Sequence, residues 1–456
     1  MNAKKNASRR WLLILPALLI VVTLTVFLVR RMEGESPEMT MALTSPALGA
    51  SQNLKLHVID RKSGIRKVWV AVLKDGQEVP LLDKTYSSAG LLAGGQTHEE
   101  TLEIPFEPKA KGIKDGKAVL RFVGRDFSWR NWGKGNVQYQ EQEIVIDTHP
   151  PVINVLSRAH YLSQGGAGIV VYKLAEECPT SGVTVGEHFY RGFSGVFEDP
   201  AIHAAMIAID YRLGPGTPVA VTATDFAGNE SRVGLQHLIN ARTFKRDKIA
   251  LSDGFLDWKM PEFVSQVDVV PGASHLDVFL AVNRDLRRAN YETLKKVTAQ
   301  SDPAAHWKGE FLRLPAAANR AGFADHRSYI YKGKVVDEQT HMGIDLASLA
   351  QSPVPAANSG KVVFAGTIGI YGGTIVIDHG LGLFSMYSHL SQMTATEGRM
   401  VSKGDIIGAT GVTGLAGGDH LHYGIMIHHT FVNPMEWWDG QWVRNNITSK
   451  LEAVAN

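Results

Sequence analysis
Five residues in the last third of the chain are of the right types and spacing to do chemistry together. They fall in three short phrases: HMGIDLA (His341 to Ala347), MYSHLS (Met386 to Ser391) and GDHLHYGI (Gly418 to Ile425). Imidazole and carboxylate are the side chains that bind zinc where thiolates are absent. The sequence has a single cysteine, Cys178, so no Cys-based cluster and no intramolecular disulfide is available. Two imidazoles and one carboxylate leave a fourth coordination position for water, which marks a catalytic centre and not a structural one. A His-x-His pair or a His-x-x-x-Asp alone is weak, because satisfied histidines are common on strands. The joint occurrence, with a third histidine between them, is what singles out this region.

The elements around these phrases read as β-structure with tight glycine turns. KVVFAG, GGTIVIDHG, LFSMYSHL and DIIGATG are strand-like, joined at Gly360, at Gly380-Leu381-Gly382 and at Lys403-Gly404-Asp405. Residues i and i+2 of a strand share a face, so His420 and His422 point into one site with Leu421 on the other side. His341 and Asp345, four apart, also share a face if they lie on a strand. Tyr387 reads as a strand core residue and His379 as structural in a turn. His428 and His429 read as a solvated strand end, and His306 and His326 fall outside the ligand set. The run Gly408 to Gly418 lacks a Gly-Lys-Ser/Thr ending and leads into a strand, so it reads as a flexible groove wall and not a phosphate loop.

On these residues the stretch from about Arg327 to Trp442 resembles the LytM or lysostaphin-type zinc endopeptidases, which cut peptide cross-links in peptidoglycan. The matching positions are His341-x-Gly343-x-Asp345, Tyr387-Ser388-His389 and His420-Leu421-His422, with the flanks SYIYKGK, ANSGKVVFAG, IDHGLG and GATGVTGLAGGDHLH. The resemblance implies a compact antiparallel β-fold (the duplicated-hybrid-motif type) with one Zn2+ per chain in a groove. It implies His341, Asp345 and His422 as the metal ligands, and His389 and His420 as the catalytic pair beside the zinc-bound water. His420 is assigned as general base and His389 to the oxyanion, two roles that can be exchanged. The competing reading is a catalytically silent LytM-type scaffold that activates other cell-wall hydrolases.

The rest of the chain holds this domain in place. Trp11 to Val29 is a 19-residue run without charge, spanning ~28 Å against a bilayer core of ~30 Å. Lys4, Lys5, Arg9 and Arg10 precede it, which keeps the N-terminus in the cytoplasm. The expected location is therefore the inner membrane, single-pass, with the peptidase domain periplasmic. Six of the 47 Lys and Arg residues lie in 1–31, where there is no acid, so the remaining chain carries 41 basic against 45 acidic residues. No concentrated basic face is present, which argues against nucleic acid as a partner. Peptidoglycan, the membrane and cell-wall or division-complex proteins are the expected partners.

The fold class expected is mainly β. The chain divides into a cytoplasmic tail (1–10), a transmembrane helix (11–29), a linker (30–50) and two immunoglobulin-like β-sandwiches (51–148 and 149–232). A connecting segment (233–328), the zinc peptidase domain (329–442) and a tail (443–456) follow. The sandwich reading rests on short alternating runs between turn signals, and on IDTHPPVINV and VAVTATDFAGNESR, which resemble bacterial immunoglobulin-like repeats. In the connecting segment, Asn283 to Val297 is periodic as a helix, with Leu286, Ala289, Thr293, Leu294 and Val297 on one stripe and Glu292 and Lys296 as an i,i+4 pair.

Overall fold
The computed structural model describes residues 3–90 and 93–455. It is mainly β and divides into two compact units, Met1–Pro150 with Thr224–Asn229, and Pro151–Ala223 with Glu230–Asn456.

The first unit begins with a helix over Ala3–Arg31. Its stretch Ile14–Arg31 is long and apolar enough to cross a membrane, and almost all of it is exposed, as a lipid-facing segment must be. Thr23 and Thr25 donate to the carbonyls of Leu19 and Val21, one turn back, so neither hydroxyl is left bare in an apolar surrounding. The first two residues of the expected tail, 1 and 2, lie outside the described residues, and the tail from Ala3 on is part of this helix.

Two sheets then enclose one core. One has the order Glu38–Met41, Gln52–Ile59, Glu99–Phe106; the other Ala47–Leu48, Val137–Ile146, Gly116–Asp126, Ile65–Lys74, Gln77–Thr85. Alternation dictates the inward set. Leu54, Leu56 and Val58 from one sheet and Val68, Val70, Val72, Leu120 and Phe122 from the other belong to a single buried cluster. Residues 30–50 differ from the linker expected of them. Glu38–Met41 pairs with Gln52–Ile59, and Ala47–Leu48 pairs with Val137–Ile146. The physical reason is that Met39 and Leu48 are apolar residues that the core takes in. Pro37 and Pro46 sit immediately before the two strands, where proline's missing N–H removes no ladder bond.

In the second unit, strands from Ile153 to Asn240 form further small sheets. His160–Ser163 pairs in parallel with His237–Asn240, so this region runs beyond residue 232. The C-terminal region is an eight-stranded sheet. Its order is Ala318–Ala321, Ile344–Ala347, Leu421–Ile427, Leu383–Leu390, Gly372–Gly380, Gly360–Ile368, Met400–Val401, with Thr430–Val432 paired to Leu421–Ile427. Residues 233–328 contribute one strand to it and others to a separate three-stranded sheet. Arg246–Leu251 lies parallel to His326–Tyr331, and Ala318–Ala321 forms one edge of the large sheet.

The expected helix is present and longer. It runs from His275, after a capping box between Ser274 and Asp277, through a wider π turn at Val282–Leu286, and on to Val297. Its stripe is the expected one in part: Leu294 is buried in the core and Leu286 and Val297 pack against it. Ala289 and Thr293 are exposed, whereas Asn283 and Asn290 are buried. The amides are inside because each is satisfied there: Asn283 Nδ2 donates to Asp337, and Asn290 Oδ1 accepts from the Ile370 N–H at 2.8 Å. Glu292 pairs with Lys295 and not with Lys296.

Candidate metal centre
Register brings the first two candidate ligands together. Leu421–Ile427 lies between Ile344–Ala347 and Leu383–Leu390, and Asp345 is the direct cross-strand neighbour of His422. Cross-strand neighbours have Cβ atoms ~4.5–5.5 Å apart, so both side chains meet on one face. His420 forms a bridge with Gly411 just before that strand, and Leu421 is buried on the opposite face, as strand alternation requires.

His341 reaches the same point by another route. It is not on a strand. It follows Lys334–Thr340, and the chain turns through Met342 and Gly343 before Ile344–Ala347 begins. The turn needs glycine, because a Cβ at 343 would lie 2.6 Å from the His422 ring. His341 is also held from behind: its N–H donates to the Asp325 carbonyl and its O accepts from the Ala324 N–H.

His341 Nε2, Asp345 Oδ1 and His422 Nδ1 converge with all three separations at 3.0 Å. His341 Nδ1 is 2.8 Å from the Gly322 carbonyl, which can only accept, so its proton is there and Nε2 offers a lone pair. Two buried imidazoles and a carboxylate focused in this way fit bonds of ~2 Å to a single ion. His341, Asp345 and His422 are accordingly a set of buried residues able to hold a metal.

The electrostatics suit a cation. Burial works against the Asp345 carboxylate, yet His341, His420 and His422 beside it hold its pKa well below the usual range. Burial brings the His422 imidazole down to about 4, against the pull of Asp345, so it is neutral at pH 7 and able to ligate. The second carboxylate oxygen, Oδ2, accepts from Arg327 Nη2 at 3.0 Å.

His389 and His420 stand beside this set, with ring centroids 4.7 Å apart. His420 Nε2 is 3.5 Å from Asp345 Oδ1. Each is fixed through Nδ1 by a main-chain carbonyl: His389 to Thr413 at 2.8 Å and His420 to Gly418 at 2.7 Å. His389 therefore presents Nε2 as its free ring nitrogen, whereas Nε2 of His420 faces Asp345 Oδ1, and against the effect of burial that carboxylate raises the His420 pKa. His389 has φ +64° at the end of its strand, a left-handed conformation rare for a non-glycine residue. Burial, then the neighbouring His420 and His422, hold its pKa well below the ordinary histidine value. The glycine-rich run, expected as a flexible wall, supplies both carbonyls. It is tied down by Thr413, whose hydroxyl donates to the Leu390 carbonyl and accepts from the Gly373 N–H.

The remaining sequence candidates lie elsewhere. Tyr387 is buried in the sheet, its hydroxyl accepting from the Ala357 N–H. His379 is buried between the Ser359 carbonyl and the Ser385 hydroxyl. His428 is not a solvated strand end; it sits in the turn after Ile427 with its ring stacked against Phe193, and burial brings its pKa to about 4.

A cavity of about 330 Å³ opens onto the five site residues. Its other wall comes from the preceding segment, through Ile249, Leu251, Phe255, Phe279 and Arg287. Arg287, Arg327 and Tyr371 are cavity residues that the sequence did not reveal. Arg327 was visible only as a neighbour of the flank SYIYKGK, Tyr371 sits in an ordinary Gly-Ile-Tyr-Gly-Gly turn, and Arg287 reads as part of a solvated helix face.

Residues 339–434 match the profile of Peptidase family M23, so the C-terminal part of the chain is an M23 peptidase domain of the LytM type, a family of metallopeptidases. Over 95 residues the chain is 41% identical to the DD-carboxypeptidase/endopeptidase Mpg of Neisseria meningitidis serogroup B, covering 21% of this chain and 22% of that protein. Over 96 residues it is 36% identical to the peptidoglycan DD-endopeptidase ShyA of Vibrio cholerae, again 21% of this chain and 22% of that protein. The chain thus spans about a fifth of the length of these relatives. Among solved structures, a putative peptidase M23 from Pseudomonas aeruginosa is 20% identical with a TM-score of 0.37, covering 60% of this chain and 94% of that one. The catalytic domain of lysostaphin from Staphylococcus simulans is 28% identical with a TM-score of 0.25, covering 29% and 98%.

Proposed function
We propose that the chain is a membrane-anchored zinc endopeptidase that hydrolyses peptide cross-links of peptidoglycan for cell-wall remodelling. The observation that carries this reading is the 3.0 Å convergence of His341 Nε2, Asp345 Oδ1 and His422 Nδ1 beside two further histidines. One Zn2+ per chain would be held by these three atoms. When bound it supplies a water of lowered pKa and polarises the scissile carbonyl.

The chain's own residues do the rest. His420 Nε2, next to the ligand atom of Asp345, is placed to take the proton of the attacking water and return it to the leaving amine. His389, rigid through Thr413, is assigned to the oxyanion side of the same reaction. Arg327 orients the carboxylate of Asp345 by holding the oxygen that does not face the histidines. The names of the relatives, carboxypeptidase/endopeptidase and DD-endopeptidase, support peptidoglycan as substrate. The apolar N-terminal helix, with Lys and Arg concentrated before it, supports an inner-membrane anchor that leaves the peptidase domain in the periplasm. The two-sheet region near the anchor and the strands from Ile153 to Asn240 then serve as spacer modules between membrane and wall.

The test is zinc content and muropeptide release by the full chain in detergent, with His341→Ala as control. About one zinc per chain, and release abolished in the variant and by chelation, is the expected result. Zinc without hydrolysis would overturn the enzyme reading in favour of a silent scaffold.

A further inference from the structure
Resting on the metallopeptidase reading, we propose that Arg287 anchors a free carboxylate of the peptide substrate. Three arginines stand close together in the helical segment NRDLRRAN, and two have acids. Arg284 pairs with Asp337 at 2.9 Å and Arg288 with Asp285 at 2.6 Å. Arg287 has no carboxylate partner among the described residues, and it is the one of the three that lines the metal cavity. Its Nε and Nη2 are 3.1 Å from the Asn283 carbonyl and 2.6 Å from Asn283 Oδ1. Those two bonds orient the guanidinium without neutralising it, and Nη1 has no acceptor among the described residues.

A partly buried guanidinium without a counter-ion is costly unless an anion completes it. The mount is rigid. Asn290, one turn further along the helix, accepts from the Ile370 N–H, and a Cβ on Gly369 would lie 2.4 Å from its Oδ1, so helix and loop are interlocked. The next residue, Tyr371, carries the link to the metal side: its ring is 5.6 Å from the His422 ring, and the Arg287 charge acts on its phenol. Arg327 adds a second guanidinium to the same cavity, with Nε buried and donating to nothing. The remainder of that wall is apolar, which strengthens a charge–charge contact inside it. The compartment therefore selects a peptide that brings a free carboxylate to Arg287, over a neutral or amidated one.

The test compares Nα,Nε-diacetyl-Lys-D-Ala-D-Ala with its C-terminal carboxamide on the full-length, metal-loaded protein in detergent. Affinity is read by calorimetric titration and turnover by amine release. The acid is expected to bind at least tenfold more tightly than the carboxamide, with the difference appearing in KM. Arg287→Gln should bring the two peptides within about twofold of each other, and Arg287→Lys, which keeps the charge but not the planar fork, should retain part of the preference. Equal affinity in the unmodified protein, no measurable binding of the acid, or an undiminished preference in Arg287→Gln would overturn the anchor. Preferential binding without amine release would count against the peptidase reading and leave the anchor standing.

Discussion
The two walls of the metal cavity are built on different principles. One carries His341, Asp345, His389, His420 and His422 and belongs to the M23 domain; the other carries Ile249, Phe255, Phe279 and Arg287 and comes from the segment before it. The metal wall is set by strand register and by carbonyls that each fix one ring nitrogen, so a small number of residues define it. The opposite wall is set by a helix interlocked with a loop through buried amides, and its residues have ordinary types at ordinary spacings. Chemistry is concentrated on the first wall, and shape and charge on the second.

The largest effect should come from removing a ligand of the metal wall. His422→Ala is expected to lose the metal and lower peptide hydrolysis by about a thousandfold or more, since the Lewis acid and the activated water go together. Atomic absorption and muropeptide release measured on the same preparation check this. Retained metal with lost hydrolysis would mean that the three donors do not form the site.

Arg327→Met is the next step down. It leaves Asp345 Oδ2 without its partner while all three donors remain, and partners of this kind typically contribute 10–100-fold in metal affinity. A competition titration with a chelating dye should show a weakening of that order with little change in thermal stability. Gly343→Ala belongs at a similar level, because its Cβ would press on the His422 ring at 2.6 Å and the ring must shift.

These effects also mark how much the sequence disclosed. The His-x-His alternation was legible because a strand's period of two is local, and the structure places His420, Leu421 and His422 accordingly. The meeting of His341 with Asp345 was legible as a pair but not in its cause: a glycine turn, and not a shared strand face, delivers His341. The linker reading of 30–50 failed because two- and four-residue edge strands give too short an alternation to see, and only the burial of Met39 and Leu48 makes them strands. Arg287 and Arg327 were beyond reach, since what distinguishes them is the presence or absence of an acid contributed by distant chain.

The smallest effects test the second wall, where the expected helical stripe holds at Leu286, Leu294 and Val297 and fails at Ala289 and Thr293. Asn290→Ala removes the acceptor of the Ile370 N–H and leaves a buried donor bare, a loss of about 1–3 kcal/mol. Thr293→Ala lies on the stripe that periodicity favoured, but its side chain is exposed and its hydroxyl bonds only to the Ala289 carbonyl of its own helix. It should change stability by no more than about 0.5 kcal/mol. Chemical denaturation of the two variants reads this difference, and metal content should stay at the unmodified level in both. A larger loss in Thr293→Ala than in Asn290→Ala would return Thr293 to the face that holds the helix. Loss of metal in Asn290→Ala would show that the two walls are not separable, because a change on the helix would then have reached the donors through Ile370 and Tyr371.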